Sequence, residues 1–162
     1  HETGACLDAL IQEGKIASAG VSNFSTHEFD LLQSAMRNPL VTNQLEISLL
    51  AQHTFLDGSL GQCQQRGIRP MAWSPLAGGR LFGDEAAAQR LRPALTRIAE
   101  AQGVDIDAVA IAWLLAHPAN IVPIVGTNNL ERIARLGDAF KVDMPLETWY
   151  ELWTLAAGKE VP

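Results

Sequence analysis

The chain is poor in the side chains on which many reaction chemistries rest. It has one tyrosine, Tyr150, two cysteines, Cys6 and Cys63, and four histidines, His1, His27, His53 and His117. Two cysteines without a CxxC spacing build no disulfide framework and suit a reducing compartment. Both lie in apolar, helix-like patterns, which points to core packing. The histidines are scattered and match no metal-ligand spacing, so no metal is expected. No run approaches the roughly 18–20 apolar residues of a membrane span. No basic, apolar, small-residue leader opens the chain, and a cytoplasmic location is expected. With 12 basic and 18 acidic residues the net charge is -6. That excess speaks against nucleic acid or an anionic membrane as partner, yet leaves room for a local phosphate site. No glycine-rich fingerprint follows the first predicted strand, which weighs against a Rossmann sheet.

What is present is an ordinary globular composition, 48% hydrophobic and 19% charged over 162 residues. That length suits one domain, residues 1–162, able to bury a core. Its centre is Arg69 to Phe82, RPMAWSPLAGGRLF. An apolar run, Met71-Ala72-Trp73, is halted at Ser74-Pro75, because proline cannot continue a ladder. Gly78-Gly79 permits close approach of backbone to a ligand, and Arg80 adds a cation. Polar groups at the C-terminal end of an apolar strand are what a parallel α/β sheet presents to a ligand.

The arrangement recurs. Strands are predicted over Lys15–Val21, Leu40–Glu46, Arg69–Trp73 and Ile121–Val125. The first runs into Ser22-Asn23, the second ends in the amides Asn43 and Gln44, and the last runs into Gly126-Thr127-Asn128. A strand-end amide serves a ligand or fastens a loop, and the residues alone leave both open. Helical stripes fall between: Glu2–Glu13, a helix capped by Ser25 or Thr26, one within Leu49–Gln65, Asp84–Leu91 and Pro93–Gln102 with Arg90 and Arg92 on a wet face. Asp105–Ala116, Leu130–Phe140 capped by Asn128 or Asn129, and Pro145–Ala157 follow. Trp113 and Tyr150 read as packing aromatics. Strand alternating with helix makes a parallel sheet, and four such units are half of an eight-fold barrel, which typically needs about 250 residues. The helical pattern already under way at His1 points to further residues upstream. Two free strand edges are expected, and such edges are usually covered.

On spacing alone the best anion site is the last strand end. Gly126-Thr127-Asn128 leads to a helix N-terminus, with Arg132 within the first turn or so and Arg135 beyond. A capped surface helix with solvated arginines is the competing reading.

AGVSNF, TNQLEISLL, MAWSPLAGGRLF and PIVGTNNLERI resemble, in order, the later strand ends of bacterial aldo-keto reductases, and the ending Gly158 to Pro162 is similar too. The resemblance covers nearly the whole chain. It implies a TIM-barrel fragment, the last four β/α units plus a C-terminal helix, of an NADP(H)-dependent oxidoreductase that reduces aldehydes and ketones. It implies that Ser22, Asn23 and Gln44 hold the nicotinamide carboxamide and that Trp73 stacks on its ring. Ser74, Leu76, Gly78, Arg80 and Leu81 would line the pyrophosphate. Gly126, Thr127, Asn128 and Arg132 would hold the 2'-phosphate and ribose. Relatives often have Lys-Ser where Gly126-Thr127 stands and Asn where Leu136 stands, so Arg132 and Arg135 are expected to supply the charge. The family's Asp, Tyr, Lys and His tetrad has no counterpart here, so no catalytic residue is expected in this chain. The implied partners are a carbonyl substrate and either an N-terminal half barrel or a second copy. A non-catalytic nucleotide-binding or structural half-barrel subunit is the alternative.

Overall fold

A computed structural model describes residues 1–161; Pro162, the end of the family-like C-terminal ending, lies outside the described residues. The elements in order are α1 (Glu2–Gln12), β1 (Ala19–Ser22), α2 (Thr26–Ser34), β2 (Leu40–Glu46), α3 (Ser59–Arg66) and β3 (Met71–Trp73). Then come α4 (Ala86–Gln102), α5 (Ile106–Leu115), β4 (Val122–Pro123), α6 (Leu130–Arg135) and α7 (Leu146–Ala157). Short 3-10 turns occupy His53–Phe55, Ala77–Phe82 and Leu136–Lys141. The fold is α/β. All four strands are parallel, in the order β1-β2-β3-β4, so β1 and β4 are the edges among the described residues.

Local chemistry sets the boundaries. Ser25 starts α2 with a capping box: its hydroxyl accepts from Glu28 N while Glu28 accepts from Ser25 N at 2.8 Å. Gly67, Gly103 and Gly158 end α3, α4 and α7 in left-handed conformations. β1 begins later than the sequence suggests, because the N–H groups of Lys15 and Ile16 bond to Leu10 O and finish the turn after α1. β3 and β4 are short because Pro70 and Pro123 lack donors. Their flanks still pair, Val122 N to Pro70 O and Ile124 N to Ala72 O.

Three further expectations need correction. Asp84–Leu91 and Pro93–Gln102 are one helix, α4, with Pro93 inside it. The buried stripe of Leu91, Leu95 and Ile98 runs through the proline and outweighs the lost hydrogen bond. Leu130–Phe140 splits at Arg135 into α6 and a tighter 3-10 segment carrying Gly137. Cys6 is exposed rather than packed, while Cys63 is buried and burial pushes its thiol up to about 11, which makes it unreactive.

The main core joins Ile47, Leu49, Ala72 and Ile121 from the sheet side to α4, α5 and α7. Trp113 and Trp149 stack with centroids 5.1 Å apart and exchange hydrogen bonds, each indole N–H donating to the other's backbone carbonyl. This pair fastens α7 to α5. Tyr150 packs edge-on against Trp149, as its neighbours in sequence suggest.

The sheet is two-faced. Leu45 and Ala72 are buried among helices. Gln44, Glu46, Met71 and Trp73 alternate with them, are paired in register, and remain partly exposed on the other face.

Candidate functional site

The C-terminal ends of the strands carry two adjoining groups of polar residues. In the first, Ser22 Oγ and Asn23 N both donate to Gln44 O, at 3.0 and 2.8 Å, which ties the end of β1 to β2. Asn23 is left-handed, with φ 56°, a conformation asparagine tolerates better than most residues. The next residue, Phe24, is held by Asn43, whose amide donates to Phe24 O at 2.7 Å and accepts from Phe24 N at 3.4 Å. Asn43 is only 2% exposed, so of the two strand-end amides it fastens the loop, and Gln44 is left partly exposed beside it. Trp73 reaches across β2, and its Nε1–H donates to Asn23 Oδ1 at 2.9 Å. Ser22, Asn23, Gln44 and Trp73 therefore come together, as the sequence suggests.

The second group lines a cleft of about 400 Å³ between the loop after β3 and the segment from Ile124 to Leu136. It gathers Ser74, Leu76, Gly78, Gly126, Thr127 and Arg132. Ser74, Ala77, Gly78 and Gly79 all have positive φ, so the loop after β3 doubles back in a conformation that two glycines make tolerable. β3 joins the groups, since Trp73 belongs to the first and Ser74 to the second.

Not every expected residue lines the cleft. The Leu81 side chain is 4% exposed in the main core, so it anchors the loop and does not line the cleft. Arg80 also lies off the cleft. Its Nε donates to Ala77 O at 3.2 Å, and its guanidinium lies 3.6 Å from Glu85 and 4.0 Å from Glu46. Asn128 is exposed outside the cleft wall, and Asn129, not Asn128, caps α6 by accepting from Arg132 N at 3.0 Å. Thr127 Oγ1 accepts from Asn129 N at 3.2 Å. These two N–H groups are already satisfied, and the Arg132 guanidinium adds a full positive charge at the cleft. Arg135 is bound to Asp105 at 2.6 Å, whereas Arg132 has no carboxylate within ion-pair distance among the described residues. Arg90 and Arg92 are exposed as expected but engaged: Arg90 donates to Leu155 O and Ala156 O at the end of α7, and Arg92 donates to Phe82 O and Gly83 O.

Sequence reasoning passed over Pro75, Val125 and Phe82, which also line the cleft, and Glu46. Glu46 had a legible signal: it follows Gln44 by two on a strand and so shares its face. Phe82 had none, because its place depends on the turn of the glycine loop.

Among the described residues no group of three or more histidine, cysteine, aspartate or glutamate side chains could hold a metal. No helix among them is long and apolar enough to cross a membrane. The indole of Trp73 and the amides of Asn23 and the partly exposed Gln44 thus adjoin a cleft in which Arg132 has no carboxylate partner among the described residues.

The chain is 59% identical over 161 residues to 6-dehydroglucose reductase of Agrobacterium fabrum, covering 99% of this chain and 54% of that one. It is 43% identical over 162 residues to oxidoreductase YdhF of Escherichia coli, at 99% and 54% coverage. The chain thus spans about half the length of the curated relatives it matches. Among solved structures, a thermostable aldo-keto reductase bound to the inhibitor epalrestat superposes with a TM-score of 0.85 at 28% identity, covering 95% of this chain and 54% of that one. An aldo/keto reductase from Klebsiella pneumoniae, in complex with NADP and acetate, superposes at 0.81 and 26% identity, with 96% and 53% coverage. The model of the aldo/keto reductase family matches residues 1–155, and the chain belongs to that family.

Proposed function

We propose that this chain is the cofactor-binding half of an NADP(H)-dependent reductase of aldehydes and ketones, acting on the carbonyl of an oxidised sugar. The observation that carries the reading is the pair of adjoining groups at the strand ends: amides and an indole in one, Arg132 beside a cleft in the other. Ser22, Asn23 and Gln44 hold the carboxamide and Trp73 faces the ring. Ser74, Leu76 and Gly78 lie along the pyrophosphate, and Gly126, Thr127 and Arg132 take the 2'-phosphate and ribose. When bound, the nicotinamide supplies a hydride to a carbonyl carbon. The chain's own residues bind it, orient it and balance its charge. Two relatives named 6-dehydroglucose reductase, at 59% and 40% identity, support the sugar substrate. The neighbour in complex with NADP supports the cofactor.

The partly exposed sheet face needs a cover, since parallel sheets are normally covered on both faces. We assign that cover to four further β/α units that complete an eight-fold barrel and bring the proton donor. This chain's one tyrosine is a packing group on α7, so these residues alone reduce no carbonyl above background. Titrating the chain with NADPH while following tryptophan emission tests the reading. Saturable quenching with a weaker response to NADH is expected, and no response at millimolar NADPH overturns it. Measured turnover of a simple aldehyde by the chain alone overturns the assignment of the proton donor elsewhere.

A further inference from the structure

The contact between Trp73 and Asn23 does more than bring two site residues together. An indole N–H only donates, so the atom that faces it at 2.9 Å must be the amide oxygen of Asn23. The opposite orientation would set donor against donor. The Asn23 backbone is itself fixed: φ is 56°, its N–H is bonded to Gln44 O, and both polar backbone groups of Phe24 are held by the buried Asn43. With the backbone fixed and one end of the amide engaged, the other end has one direction left. Among the described residues the Asn23 Nδ2 has no protein partner, and it is a donor.

We propose that Trp73 is a positioning residue, whose indole N–H orients the Asn23 amide so that its NH2 group meets the ligand. The site then selects an acceptor at that point, such as the carbonyl oxygen of a carboxamide, and rejects a donor. This rests on the nicotinamide reading above and deepens it. An aromatic face alone does not perform this task. Phenylalanine has no donor, and the tyrosine hydroxyl is at the far tip of its ring, so Trp73 differs in kind from another stacking residue.

The bond can be tested without any ligand. In the 15N-labelled chain the Trp73 indole signal is identified by its disappearance in Trp73→Phe. In Asn23→Gly, which keeps the positive φ and removes the amide, the signal is expected to move upfield and exchange faster with solvent. An unchanged signal overturns the proposal. Asn23→Asp keeps an oxygen on the indole but turns an acceptor toward the ligand. Its indole signal is expected to stay bonded while NADPH affinity falls about tenfold or more. Affinity equal to the parent's would mean the outward atom is the oxygen, and would overturn the proposal. If NADPH binds neither parent nor variant, the nicotinamide reading fails, and the indole signal still decides whether Trp73 orients the amide.

Discussion

Arg132 and Arg135 are one turn apart on the same short helix, and the structure assigns them different fates. Arg135 is held by Asp105 at 2.6 Å, while Arg132 lines the cleft without a carboxylate partner. A hydrogen bond to a charged group contributes about 1.5–3 kcal/mol, which corresponds to about 10- to 150-fold in affinity. Arg132 is exposed, so solvent screening places its effect at the low end. Arg132→Ala is therefore expected to weaken NADPH binding about tenfold and to leave NADH, which lacks the 2'-phosphate, within about twofold. Arg135→Ala removes a cation whose charge is already matched, and is expected to change NADPH affinity by no more than about twofold. Fluorescence titration of the two variants with both dinucleotides checks this. The difference between NADPH and NADH should also shrink as salt rises, since the contact is between exposed charges. Equal losses for the two arginines, or an Arg132→Ala loss as large for NADH as for NADPH, would refute the assignment of the phosphate to Arg132.

Three further outcomes follow from the packing. Trp113→Phe removes the donor to Trp149 O and part of a stack in a site with no solvent exposure, so a loss of about 2–4 kcal/mol is expected in urea unfolding followed by circular dichroism; less than about 1 kcal/mol would mean that the pair does not hold α7. Gly20→Ala places a Cβ 2.6 Å from Thr42 Cγ2 and 3.0 Å from Thr42 O, while Thr42 is kept from turning by its bond to Arg69 O at 2.7 Å. The expected cost is about 1–3 kcal/mol, partly recovered by adding Thr42→Ser, which removes that methyl and keeps the hydroxyl; thermal unfolding of the single and double variants measures it. Burial lowers the pKa of His117 from 6.5, so the unfolded chain binds the proton more readily. Its contribution is complete above pH 6.5 and declines as the pH falls toward the lowered folded value, and His117→Asn, which can still accept from Ala119 N, should flatten the parent's loss of stability in that window.

The strand-and-helix alternation was legible because short apolar runs alternate with longer segments of helical periodicity. The β2 bounds match the prediction: Leu40 pairs with Ala19 of β1 and Glu46 pairs with Trp73 of β3. The Ser25 cap was legible from its own box. The bounds of β1, β3 and β4 were not, because they depend on where a neighbouring carbonyl finds a donor: Leu10 O captures Lys15 and Ile16, and Pro70 and Pro123 interrupt pairing from within. The unity of α4 was hidden for a related reason. Proline is costly for an isolated helix, but the stripe on both sides of Pro93 faces one core. At the site, residue type alone placed Ser22, Asn23, Gln44 and Trp73 correctly at strand ends. It did not separate Arg80 and Arg135 from Arg132, because an arginine looks the same in sequence whether or not a carboxylate stands beside it.

That difference bears on how the site works. Arg80 lies between Glu46, at the end of β2, and Glu85, just before α4. Its carboxylate neighbours compensate its charge, so it pulls less on an approaching phosphate than a free guanidinium would. It ties the loop after β3 to two other elements, and that loop includes Ser74 and Ala77, which hold positive φ without being glycine. Such conformations cost of order 1–3 kcal/mol each and persist only where surrounding contacts over-determine them. Arg80 and the buried Leu81 side chain supply those contacts from within the loop, as Asn43 does at the end of β1 by holding Phe24, the residue after Asn23. The strand ends thus divide their labour. One set of polar residues is spent on holding strained backbone in place, which in the proposed role leaves Gln44, Trp73 and the outward amide of Asn23 for the ring, and Arg132, at the cleft, for the phosphate.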